Sequence, residues 1–169
     1  MNKTSLFLIT SIAAVGITGA VYTNHTMTSN SHNVHSVTEV ANTQVKQITV
    51  YRTPTCGCCG GWIEHMKQAG FQVTDIKTTE LDKIKQQYNL PAGLESCHTT
   101  IADGYVIEGH IPVADVKRLL TEKPKIAGIA VPGMPLGTPG MEAGDIKEPF
   151  QVLAFNQEGD IQVFQEYKF

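Results

Sequence analysis

The chain has 169 residues, 41% of them hydrophobic, with a net charge of −3 and a pI near 6.0. That content supports one globular domain with a core of its own plus a terminal extension, so disulfides are not needed to rescue a minimal fold. Lys and Arg are scattered rather than striped, so nucleic acid is not an expected partner.

Lys3 precedes an apolar run at residues 5–21, "SLFLITSIAAVGITGAV", softened by Ser, Thr and Gly. A short basic start, an apolar stretch and the small residues "TGA" before a cut after Ala20 read as a secretory signal peptide. The alternative is an uncleaved N-terminal anchor, since the run approaches the lower limit for a membrane span. Both readings export the remainder, to the periplasm or an equivalent compartment. There, free thiols oxidise unless a metal or redox partner protects them. Residues 22–46 are polar, rich in Ser, Thr and Asn, and without periodicity, as expected of a disordered linker. The linker carries His25, Met27, His32 and His35, either incidental to a solvated segment or an auxiliary metal-catching arm.

The ordered domain is expected from residue 47. "KQITVYRT" (46–53) alternates and is β-branched, the pattern of a strand. In "GGWIEHMKQAG" (60–70), Trp62, Ile63, Met66 and Ala69 recur at helical spacing and Gly70 ends the run. "FQVTDIK" (71–77) reads as a second strand. "TTELDKIKQQYNL" (78–90) reads as a second helix capped by Thr79, with Leu81, Ile84 and Tyr88 inward and Pro91 beyond it. "CHTTIAD" (97–103) and "YVIEGHI" (105–111) are strands joined at Asp103-Gly104, and Pro112 opens a third helix to residue 123. A Pro/Gly-rich loop (124–145) and a terminal strand pair, 150–156 and 160–167, complete the chain. The order β-α-β-α-β-β-α is that of a thioredoxin-like α/β domain, here with a Pro/Gly loop and a C-terminal β-hairpin extension.

Such a topology pairs the first two strands in parallel and the third and fourth antiparallel. It brings the end of strand one beside the start of strand three and the end of strand four. Cys56, Cys58 and Cys59 follow the first strand, Cys97 and His98 open the third, and His110 closes the fourth. All the cysteines of the chain should therefore meet at one edge.

Cys56 and Cys59 are spaced C-x-x-C at a helix start, where unpaired N–H groups and the helix dipole favour thiolate. An ordinary dithiol oxidoreductase, with Cys56 attacking and Cys59 resolving, is one reading. Cys58 argues for another. Adjacent cysteines bridge poorly to each other, and three thiols within four residues suit neither structural disulfides nor a single tetrahedral zinc. Closely spaced thiolates can bridge several soft ions, and cuprous copper favours such sulfur sites, so copper is expected ahead of zinc.

Around the cysteines, His98 is a ligand, a donor to one, or a proton shuttle, although strand alternation should turn it away from Cys97. His110 either holds the strand end through a backbone hydrogen bond or supports the site. Glu108 reads as a surface or ion-paired residue. Met134 and Met141, in the Pro/Gly loop, either fill gaps there or return a thioether to the metal. Trp62 and Met66 read as core and His65 as surface.

The segments "YRTPTCGCCGGW", "LESCHTTIADGYVIEGHIPV" and "GIAVPGMPLGTPGME" resemble the CopG-type family over about residues 47–155. These are exported bacterial proteins encoded among copper-resistance functions and long catalogued as a domain of unknown function. The resemblance implies a thioredoxin-like domain whose cysteines bind copper, Cu(I), as a multinuclear thiolate-bridged cluster. By position, Cys56, Cys58, Cys59 and Cys97 would be the ligands, with His98, His110, Met134 and Met141 as auxiliary groups. Partners would be copper ions and other periplasmic copper-handling proteins.

Overall fold

The computed structural model describes residues 46–169; the expected signal peptide or anchor and nearly all of the linker, with its His25, Met27, His32 and His35, lie outside them. The elements run β1 (Gln47–Arg52), α1 (Gly57–Gln68), β2 (Gln72–Lys77), α2 (Leu81–Gln87), β3 (His98–Ala102), β4 (Tyr105–Glu108), α3 (Val113–Glu122), β5 (Gly128–Ala130), β6 (Phe150–Phe155) and β7 (Ile161–Tyr167). Among the described residues no helix is long and apolar enough to cross a membrane.

One mixed sheet carries every strand, in the order β2-β1-β3-β4-β5-β6-β7. β1 pairs parallel to β2 and antiparallel to β3, and β3 pairs antiparallel to β4, as the sequence led us to expect. The C-terminal hairpin β6–β7 is present and joins the same sheet through β5. β5 was expected as part of an irregular loop. It is three residues long and starts on Gly128, where a Cβ would collide with the Val106 carbonyl oxygen and sit 2.7 Å from the Phe155 ring, so close packing excludes a β-branched residue there.

Side chains alternate across the sheet with the period of two that strands impose. On one face Ile48, Val50, Ala102, Ile107, Ile129, Val152 and Ala154 pack with Trp62, Ile63 and Met66 of α1 and Val116, Leu119 and Leu120 of α3. On the other, Val106, Ala130 and Phe155 pack with Leu94 and, at the margin, Tyr88 and Leu90. In α1, Cys59, Trp62, Ile63 and Met66 are buried at i, i+3, i+4 and i+7, so the helix's inward stripe begins on a cysteine.

α2 is shorter than expected. Thr79 does not cap it; Glu80 occupies the cap position, and the hydroxyl of Thr78 accepts the Glu80 N–H at 3.0 Å. The helix also buries a charged residue, Lys85, which lies at i+4 from Leu81 on the inward stripe and is only 6% exposed.

Candidate metal centre

Register places the site. Arg52, the last residue of β1, faces His98, the first of β3, and Thr99 faces Glu108 at the end of β4. Cys56 is the N-cap of α1, and its sulfur accepts the N–H of Cys59 at 3.3 Å. The carbonyl of Cys56 receives Arg52 Nη1 at 3.0 Å, while the same guanidinium clasps Asp75 of β2 through Nε and Nη2 at 2.8 and 2.7 Å. The turn leading into the cysteines is thereby tied to two strands.

The four sulfurs converge, lying within 4.8 Å of one another. Cys56 and Cys59 are joined as a disulfide, and Cys58 and Cys97 are free. Cys58 Sγ is 3.5 Å from Cys56 Sγ, and Cys97 Sγ is 3.3 Å from Cys59 Sγ. Burial, followed by the neighbouring Cys58, pushes the Cys97 thiol up to about 12.

His98 does not turn away from Cys97. It is fully buried, with Nδ1 3.7 Å from Cys97 Sγ and its ring 4.8 Å from the ring of Trp62 and 5.0 Å from that of His110. Alternation fails because Cys97 precedes the ladder: β3 begins at His98, and Cys97 lies in a bend rather than extended strand. Burial, with His110 next, depresses the His98 pKa well below its ordinary value, and Nε2 has no hydrogen-bond partner among the described residues.

His110 makes a backbone hydrogen bond, to the Pro/Gly loop rather than within its strand, and also faces Cys97. Its Nδ1 is 2.8 Å from the carbonyl of Pro139, which can only accept, so Nδ1 carries the proton. Burial lowers its pKa, leaving a neutral ring whose Nε2 lone pair faces Cys97 Sγ at 3.4 Å.

Pro139 shows that the Pro/Gly loop does return to the site. The next residue, Gly140, has φ +83°, and a Cβ there would lie 2.5 Å from the Cys58 carbonyl and 2.6 Å from the Trp62 nitrogen. Only glycine permits that contact. Glu142 fastens the loop, accepting the Gly140 N–H at 3.0 Å and meeting His65 Nε2 of α1 at 2.6 Å. His65, expected as a surface residue, is half-buried and engaged by Glu142. Met141 stands one residue past the Gly140 contact and is half-buried, whereas Met134 is 39% exposed on left-handed backbone.

A buried network that the sequence did not reveal holds Cys97 in place. Glu108 is fully buried, not a surface residue, and pairs with Lys85 of α2. Its Oε1 also accepts the N–H of Ser96 at 2.6 Å and the hydroxyl of Ser96 at 2.7 Å, and its Oε2 accepts the hydroxyl of Thr99 at 2.7 Å. Lys85 Nζ donates to Thr99 Oγ1 at 3.0 Å. Ser96 and Thr99 flank Cys97 and His98, so a satisfied ion pair fixes the segment that carries the isolated cysteine. The signals in the sequence were slight: Glu108 is a charge in the apolar run "YVIEGHI", and Lys85 stands at i+4 from Leu81 on the inward stripe of α2.

The chain resembles solved structures. One, named copper resistance protein CopG, form 2, is 41% identical; the match covers 74% of this chain and 100% of that one, with a TM-score of 0.71. A second form of CopG is also 41% identical, over 73% of this chain and 98% of that one, with a TM-score of 0.70. Residues 94–141 match a family model described as a protein of unknown function, DUF411. That span runs from Leu94 through Cys97, His98, Glu108 and His110 to Met141. No curated protein matches the chain. The mixed α/β fold, the converged cysteines and the 41% identity to CopG over its full length establish that this chain belongs to the CopG family of copper resistance proteins.

Proposed function

We propose that this protein, exported and built on a thioredoxin-like scaffold, holds cuprous ions on Cys56, Cys58, Cys59 and Cys97 and so contributes to copper resistance. The observation that carries the reading is the convergence of four sulfur donors within 4.8 Å, with no carboxylate among them. An all-sulfur set is soft and selects cuprous copper over harder ions. The presence of more donors than a low-coordinate cuprous ion needs, packed this closely, suits several bridged ions better than one.

Copper is here the cargo. Two of its four donors are tied up as the Cys56–Cys59 disulfide, so full loading requires two-electron reduction of that bond. Deprotonation of Cys97, whose thiol burial holds up, is favoured by the incoming metal and by the free Nε2 of His110. His98, with one unpartnered nitrogen, and Met141 complete the surroundings as auxiliary groups. A bridged cluster of this kind can also exchange electrons, which would let the protein cycle copper between oxidation states.

The rival is a thiol–disulfide oxidoreductase in which Cys56 and Cys59 are the working pair; the N-capped disulfide favours it. Cys58 separates the two. Cys58→Ser leaves a dithiol enzyme active but lowers the copper stoichiometry of a cluster protein. Elemental analysis of the chain purified from its own compartment tests the metal itself. Copper is expected, and zinc at one per chain without copper would overturn the reading.

A further inference from the structure

The disulfide and the free thiols are not independent. Cys97 Sγ lies 3.3 Å from Cys59 Sγ, within reach of the bond, and the Nε2 lone pair of His110 lies 3.4 Å from the same sulfur on its other contact. The Pro139 carbonyl fixes that tautomer at 2.8 Å. Nucleophile, base and orienting acceptor are thus in sequence, the arrangement that activates a weak nucleophile elsewhere. The potential leaving sulfur, Cys56, sits at the N-cap of α1 with the Cys59 N–H 3.3 Å away, where developing negative charge is stabilised.

We infer that, without metal, the chain is an internal thiol–disulfide relay in which Cys97, assisted by His110, moves the bond from Cys56–Cys59 to Cys59–Cys97. In the step, the Cys97 thiol gives its proton to His110 Nε2 and its sulfur bonds to Cys59 Sγ. The Cys56–Cys59 bond breaks, and its electron pair leaves on Cys56, which then takes the proton from His110. One disulfide is lost and one is made, so no external oxidant or reductant enters. The exchange matters because it changes which thiols are free. Before it they are Cys58 and Cys97, on separate segments; after it they are Cys56 and Cys58, whose sulfurs are 3.5 Å apart beside the mouth of α1. A dithiol able to catch a soft ion is then present while the other pair remains oxidised.

Trypsin makes the test direct. Cleavage after Arg52 and Lys67 leaves Cys56, Cys58 and Cys59 in one peptide, and cleavage after Lys85 and Lys117 leaves Cys97 in another. Copper-free, reduced full-length protein is given one equivalent of diamide, and samples are quenched over time with excess N-ethylmaleimide, digested and mapped. The expected result is early Cys56–Cys59 disulfide within one peptide. A cross-linked pair through Cys59 and Cys97 then grows at a constant count of two free thiols per chain. His110→Asn keeps a donor for the Pro139 carbonyl but lacks the Nε2 lone pair, and it should slow the second phase by about 10²-fold. Absence of the cross-linked pair from folded wild-type protein at all times would overturn the relay, whatever the variant does. A cross-link that forms at the wild-type rate in His110→Asn would overturn the role of His110. Both readouts are taken without metal, so they stand or fall separately from copper binding.

Discussion

The carboxylate of Glu108 accepts the backbone N–H of Ser96 at 2.6 Å, so a charge at the end of β4 holds the residue next to Cys97. Cys97 lies outside the strand ladder, and this contact substitutes for the ladder in fixing it. The charge is tolerated in the interior because Lys85, Ser96 and Thr99 satisfy it.

Glu108→Gln should therefore leave Lys85 buried without its counter-charge and lower the stability of the fold by about 3–5 kcal/mol. Adding Lys85→Met to it removes the orphaned cation and should recover part of that loss. Denaturant unfolding of the two variants checks both statements. A Glu108→Gln protein as stable as wild type would show that the network is not holding the segment.

Gly140→Ala tests the docking of the Pro/Gly loop on α1. A Cβ at that position would meet the Cys58 carbonyl at 2.5 Å on a backbone with φ +83°. Overpacking at a site with no room costs about 1–3 kcal/mol. Because the displaced residue follows Pro139, the variant should also lose the fixed tautomer of His110. That loss should appear in nitrogen-15 NMR spectra as a shift of the His110 Nδ1 signal away from the protonated form.

Asp75→Asn probes the clasp behind Cys56. Arg52 holds the Asp75 carboxyl below its ordinary value of 3.8, chiefly through their paired hydrogen bonds. The carboxylate's contribution is then complete above pH 3.8 and is lost as pH falls through the depressed value. Asp75→Asn should cost about 0.5–1 kcal/mol at neutral pH. The gap to wild type should close in acid. Unfolding curves across pH check the direction, and a gap that widens in acid would contradict the assignment.

Much of the site follows from pattern and topology. Alternating, β-branched "QITVYR" and the Asp103-Gly104 turn place β1, β3 and β4, and their register alone brings Cys56, Cys97 and His110 to one edge. What pattern could not supply was the direction of residues beside the ladder. His98 reads as facing away from Cys97 only if both belong to the strand, and Cys97 does not. Lys85 falls on the inward stripe of α2 and Glu108 ends an apolar strand, but pattern alone could not show that these two charges, drawn from different elements, meet in the interior. β5 is hidden for a similar reason: Gly128 is required by the close approach of the Val106 carbonyl and the Phe155 ring on neighbouring strands, not by strand propensity.

The central question is whether the four sulfurs act together as a copper site. Anaerobic titration of the reduced, full-length chain with cuprous ions measures this most directly. Saturation is expected above one copper per chain, falling in Cys58→Ser and in Cys97→Ser. Saturation at one ion or fewer per chain, unchanged by Cys58→Ser, would contradict it.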